Sequence, residues 1–179
     1  MKLTVRNLVL SGLFLALGLI LPSFTGQIPQ IGRMLLPMHL PVLLCGFVCG
    51  WPSGLLVGFI TPLLRSLLFT MPPMFPTAIA MAFELATYGF LTGMLYKLLP
   101  KKNLFVYVNL ILSMIGGRII WGIASYFIYM FGQNPFTWEL FLGGAIIDAI
   151  PGIIAQIVLI PVLIIALKRA RLMGNEIKG

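Results

Sequence analysis

The sequence predicts an all-α membrane protein, a bundle of six transmembrane helices with both termini cytoplasmic. Three observations carry this expectation. Of the 179 residues, 60% are hydrophobic and only 9% charged, and the mean hydropathy is +1.07. A soluble domain carries roughly a quarter of its residues as Asp, Glu, Lys or Arg, so this chain cannot clothe a water-facing surface. Proline, glycine and polar breaks then divide the apolar sequence into six runs of helical length. Finally, Lys and Arg gather in alternate connections between those runs. One unit, residues 1–179, is expected, with no room for a second domain.

The first helix covers residues 7–23. Lys2 and Arg6 before an apolar run resemble a signal peptide, but Pro22, Ser23, Phe24 and Thr25 offer no small-residue cleavage site. A retained helix is therefore expected. Gly12 and Ala16 stand four apart, with Gly18 added. Such a small-residue face lets another helix approach closely, within the bundle or on another subunit. The second helix, 38–50, and the third, 53–69, fall short of the roughly 20 apolar residues of a full span. They lean on protein neighbours or form a re-entrant pair. Cys45 and Cys49, four apart on one helical face, read as small packing residues. No second ligand pair accompanies them, so no metal site is expected, and no cofactor. The fourth, fifth and sixth helices cover 77–99, 104–131 and 142–169.

Orientation follows from the basic residues. Lys2 and Arg6 precede helix one, Lys97, Lys101 and Lys102 join helices four and five, and Lys168, Arg169, Arg171 and Lys178 follow helix six. Six spans put these three segments on one side, which the positive-inside rule makes the cytoplasm. The net charge of +8 thus points to the membrane surface rather than to nucleic acid. The opposite connections, "TGQIPQIGRMLLP", "TMPPMFP" and "GQNPFTWEL", are charged only at Arg33 and Glu139. Their prolines make them stiff, fit to lie as a lid over a pocket.

Arg65, Glu84, Arg118 and Asp148 fall inside predicted helices. At the bilayer centre each costs about 2.5–3.5 kcal/mol on insertion scales, and intramembrane charges point to function by default. All four lie in the outer half or the middle of the bundle. One reading pairs Arg65 with Glu84 and Arg118 with Asp148 and locks helices together. The other builds an outward-open polar pocket where some of these groups meet a ligand. The two are compatible, since an acid can hold an arginine ready for a ligand carboxylate or phosphate. Arg65, near the outer interface, can snorkel and is the structural member.

Polar neighbours support a pocket. Asn109, Ser113, Ser125 and Tyr126 share helix five with Arg118. Asp148 and Gln156 lie near one face of helix six. Trp121 shares a face with Arg118 and can stack on a flat ligand or a guanidinium, or serve as an ordinary packing residue. His39, the sole histidine, opens helix two in "LPMHLP" with no acid beside it in sequence. It is either a helix-start packing residue or a ligand contact. Catalytic motifs are missing: there is no H-E-x-x-H, no G-x-S-x-G and no Gly-Lys pair for a P-loop. The chain is not expected to be an enzyme, and any energy must come from a gradient or a partner.

The stretches "SGLFLALG", "MHLPVLLCGFVCGWPSGLLVGFITPLLRSLLF" and "FELATYGFLTGMLY" give the chain a resemblance, over nearly its whole length, to the substrate-binding S components of energy-coupling factor (ECF) vitamin transporters. The resemblance implies a six-helix subunit of the cell membrane that captures a vitamin or related nutrient from outside. It implies a membrane coupling subunit and two ATPases as partners, whose ATP hydrolysis topples the S component in the bilayer. The family's A-x-x-x-A docking face on helix one falls here on Gly12 and Ala16, with Gly in place of the first Ala. The family's pocket draws on helices four to six and the loops after helices one, three and five. Here these supply Glu84, Tyr88, Arg118, Trp121, Asp148 and Gln156, with Gln30, Met74 and Phe75 from the loops and His39 beside them. Two arginines, two acids and aromatics suit a flat ligand with an anionic or zwitterionic part. The vitamin B6 group is favoured, then pantothenate or a folate-like pterin. A self-sufficient ion-coupled carrier is the main alternative, although no internal repeat of the kind many carriers show is evident. A small intramembrane enzyme or assembly factor is another, but no nucleophile–base pair is visible.

Overall fold

The computed structural model describes residues 4–25, 34–130, 137–147, 149–170 and 173. Among them the chain is all-helical. α1 (Val5–Ile20) starts at Thr4, whose hydroxyl accepts the Asn7 N–H at 3.3 Å. This N-cap satisfies one of the free donors of the first turn. A 3-10 turn, Leu21–Thr25, follows. α2 (His39–Cys49) and α3 (Trp51–Phe69) are joined by Gly50 alone, at φ 88°. That backbone region costs a glycine nothing, and Pro52 in the first turn of α3 needs no hydrogen-bonded N–H. α4 (Ile79–Leu98) is entered through a wide turn, Met74–Ala78, where Phe75 is extended. α5 (Asn103–Met130) is the longest helix, at 28 residues. A short α6 (Trp138–Leu142) and a second wide turn (Gly143–Ile147) lead to α7 (Ile150–Arg169).

The six expected helices correspond to α1–α5 and α7. Five described spans are long and apolar enough to cross a membrane, and α2 is the shorter sixth. The expected helix over 142–169 is not continuous. Its first part is the wide turn, and regular helix resumes only at Ile150, with Pro151 in its first turn.

With 11 residues, α2 measures about 16 Å, well short of the bilayer core. It is also the most enclosed helix, burying every residue except Leu40 and Val48. A helix that is apolar on all sides belongs inside a protein. α2 sits there, against α1, α3, α4 and α7. Val42, Leu43, Cys45, Leu85, Leu110, Ile160 and Ile164 form the centre of the core. Cys45 and Cys49 are buried and free, as packing residues would be.

The tightest seam joins α3 and α4. A Cβ on Gly89 would run into the Gly54 carbonyl, and one on Gly58 into the Leu85 carbonyl. Gly54 and Gly58, like Gly89 and Gly93, form the G-x-x-x-G spacing that lets helix backbones touch in lipid. By contrast, α1 faces outward along most of its length, with only 17% of its most apolar stretch buried. Gly12 and Ala16 lie on that exposed face, and a Cβ on Gly12 would meet nothing. Gly18 does not share it. It is buried against Thr61, because six residues turn a helix to its other side.

Candidate ligand-binding site

One carboxylate gathers three helices. Glu84, in the second turn of α4, is 1% exposed. Its Oε1 accepts from Arg118 Nη1 on α5 at 3.0 Å and from the Tyr88 hydroxyl at 3.1 Å. His39 Nε2, at the start of α2, lies 3.5 Å from the same oxygen. The His39 contact is electrostatic and is not aligned for a hydrogen bond. The rings of His39 and Tyr88 pack at 5.4 Å with a 58° tilt.

Local sequence explains this convergence. Glu84 and Tyr88 are four apart, hence stacked on one face of α4. The Tyr88 ring lies directly on Gly117, where any Cβ would collide with it. The Gly116–Gly117 pair therefore lets α5 come close enough for Arg118 to reach Glu84. A buried ion pair of this kind is costly to split, since each partner alone is an uncompensated charge.

The hub is not saturated. Arg118 Nε and Nη2 are buried and have no hydrogen-bond partner among the described residues, and the same holds for His39 Nδ1 and Nε2 and for both amide atoms of Gln156. Gln156 is 1% exposed on α7. One turn earlier on the same face, Gly152 closes on the Met34–Leu35 backbone, which leads into His39. Buried polar atoms left unsatisfied are exceptional in a folded interior and call for an explanation. Arg118 is thus held by one edge, and its Nε–Nη2 edge keeps the paired geometry that recognises carboxylate or phosphate.

The expected pairing of Arg65 with Glu84 is wrong, because Glu84 belongs to Arg118. Arg65 is 2% exposed and donates through Nη1 to the Leu19 carbonyl and, at 3.5 Å, to Ser23 Oγ, at the end of α1. Its guanidinium lies 4.8 Å from the Phe69 ring centroid. The last carbonyls of a helix lack partners and carry partial negative charge, so a neighbouring arginine can satisfy them without an acid. His39, with no acid beside it in sequence, has one in space.

Other expected residues divide. Trp121 stacks on Phe141 at 6.1 Å, and Phe141 on Trp138 at 5.3 Å. The sequence reading missed the two α6 aromatics; their three-residue spacing, one turn apart, was the available signal. Met74 and Phe75 lie in the turn entering α4, with Phe75 56% exposed. Asn109 and Ser113 are tied elsewhere: Asn109 Nδ2 donates to the Thr92 carbonyl at 2.9 Å and Ser113 Oγ to Asn109 Oδ1 at 3.1 Å. Asn109 thereby ties α5 to α4, and Ser113 braces Asn109 from one turn along α5. Ser125 is buried, and Tyr126 is 53% exposed. Gln30 and Asp148 lie outside the described residues, and the expected Arg118–Asp148 pair with them.

Comparison with curated proteins and with solved structures returns no match. The family model described as "ECF transporter, substrate-specific component" matches residues 6–164, and so covers α2 to α6 whole, most of α1 and α7, and every hub residue. By that match the chain belongs to the substrate-specific component family of ECF transporters, non-catalytic membrane subunits that bind a substrate for uptake.

Proposed function

We propose that the Glu84 hub is the substrate site of this subunit. The observation that carries the proposal is the Arg118 guanidinium, fixed at Nη1 by Glu84 while Nε and Nη2 are buried with no partner among the described residues. A small nutrient bearing a carboxylate, phosphate or comparable anionic or zwitterionic part satisfies that edge with two charge-assisted bonds. Gln156 offers one donor and one acceptor to a polar ring or amide, and Tyr88 and His39 offer ring faces. Within this class the vitamin B6 group is favoured, then pantothenate and folate-like compounds. Gln30, Asp148, Trp121, Met74 and Phe75 complete the proposed wall and lid.

The single unit, residues 1–179, would carry both termini in the cytoplasm and open its pocket outward, in line with the clustering of Lys and Arg in alternate connections. Gly12 and Ala16, on the exposed face of α1, would meet the membrane coupling subunit, and two partner ATPases would drive toppling and release. We read the chain as the binding subunit of such an importer rather than as a stand-alone ion-coupled carrier, on the strength of its family.

Mass spectrometry of small molecules released from the purified full chain, with Arg118→Ala in parallel, tests the site. A vitamin-sized compound should leave with the parent protein and be lost from a variant that still elutes as a folded species. Equal retention by Arg118→Ala sinks the assignment.

A further inference from the structure

At the opposite end of the bundle a second convergence involves no acid among the described residues. Tyr96, on the last turn of α4, packs edge-on against Phe47 at 5.4 Å. Two ammonium groups from different segments meet on its ring. Lys101 Nζ, in the α4–α5 connection, lies 3.8 Å from the centroid, and Lys168 Nζ, from the end of α7, lies 5.5 Å away. Main-chain oxygens fix both: Lys101 donates to the Tyr96 carbonyl and Lys168 to the Lys101 carbonyl at 3.3 Å. The carboxylates among the described residues, Glu84 and Glu139, belong to the other end. Partial burial, and then the charge of Lys168, hold the Lys101 ammonium below the usual lysine range. Two like charges have been brought together with no carboxylate beside them among the described residues.

The surroundings indicate what would neutralise them. Lys97, Lys102 and Arg169 are exposed nearby in the same connection and helix end. Leu98 and Leu104, which flank the connection, are 66% and 69% exposed. Apolar surface therefore runs up to the cationic cluster, as it does where acyl chains meet headgroups. Basic pockets between helix ends and aromatic rings at that depth suit an anionic lipid.

We propose that Lys101 and Lys168, clamped on Tyr96, bind the phosphate of an anionic phospholipid headgroup. A free phosphate would gain nothing from the leucines beside the site, whereas a lipid gains from both. Binding here would tie the α4–α5 connection to the end of α7.

The test is native mass spectrometry of the purified full chain, titrated with phosphatidylglycerol and with phosphatidylcholine of the same acyl chains. A lysine near an anionic surface contributes about fivefold in affinity, so Lys101→Gln with Lys168→Gln should weaken phosphatidylglycerol binding roughly 25-fold. Lys97→Gln with Lys102→Gln should weaken it only about threefold, as diffuse surface charge. Tyr96→Leu, which keeps both charges and removes their platform, should lose several-fold and guards against misfolding of the lysine pair. The proposal falls if the two lipids bind alike, if the two lysine pairs cost the same, or if Tyr96→Leu changes nothing. It falls also if millimolar inorganic phosphate displaces the lipid completely, since the site would then take the free anion.

Discussion

Arg65 and Arg118 stand in apolar helices of one bundle and look alike in sequence, yet their surroundings differ in kind. Arg65 gives its charge to the end of α1, through the Leu19 carbonyl and Ser23, and to the Phe69 ring on its own helix. Its partners are local framework. Arg118 has one nitrogen on a buried carboxylate, while two further nitrogens are buried without a partner among the described residues. In the function proposed above, the first arrangement is a strut and the second a receptor edge. On that proposal a charge inside the membrane does not by itself mark a site; a buried donor left unanswered by the described groups does.

The largest effect expected from breaking this contrast comes from Glu84→Ala. The hub loses its carboxylate, and Arg118 is left as an uncompensated buried charge beside His39. Removing one partner of a buried pair costs about 3–5 kcal/mol, so thermal unfolding in detergent should shift strongly downward. An unfolding midpoint equal to that of the parent would mean that Glu84 is not the group holding α4 and α5 together. No equivalent substitution exists on the Arg65 side, where the principal acceptor is main chain.

Next in size is the separation of affinity from stability. Arg118→Ala should weaken substrate binding on the order of 100-fold or more, the loss of two charge-assisted hydrogen bonds. Arg65→Ala should leave affinity within about threefold while lowering stability by about 2 kcal/mol, because one charged donor and its ring contact vanish. Calorimetric titration with the identified substrate, set beside thermal unfolding, reads both. The contrast fails if Arg65→Ala proves the worse binder. Lysine sharpens it further. Arg65→Lys keeps a point charge for the α1 carbonyl and should recover most of the stability. Arg118→Lys cannot reproduce the two-nitrogen edge and should stay impaired.

Much of this was legible in the sequence, and the gaps have physical causes. Apolar runs and their breaks gave the helices, because no soluble surface can be assembled from them. The membership of the hub was partly legible too. Glu84 and Arg118 were named from intramembrane charge, and Tyr88 only through the family resemblance. Their pairing was not, since spacing fixes which face a residue occupies but not which helix that face meets. Arg65 went to the wrong acid because sequence reading seeks a charged partner, and a helix-end carbonyl carries no letter of its own. His39 lacked a neighbour because spacing does not say which helix packs against it. The glycines at 54, 58, 89 and 93 did carry a signal, the G-x-x-x-G spacing, that would have joined α3 to α4. The break before Ile150 was harder to see, because Gly143, Gly144 and Pro151 also occur inside or at the starts of membrane helices.

The smallest effect is the most discriminating of roles within the hub. Tyr88→Phe removes a single donor to Glu84 Oε1, a bond of 3.1 Å, and keeps the ring against His39 and Gly117. Glu84 retains Arg118, so the carboxylate is not stranded. A hydrogen bond to a charged group is worth about 1.5–3 kcal/mol, and the remaining ion pair should reduce the net loss of stability to about 1 kcal/mol. If Tyr88 acts by steadying Glu84, and Glu84 by steadying Arg118, affinity should fall only about two- to fivefold. A fall as deep as that of Arg118→Ala would mean that the hydroxyl itself touches the substrate. The receptor edge would then include the phenol as well as the guanidinium, and the line drawn between strut and receptor would have to pass through α4 instead of beside it.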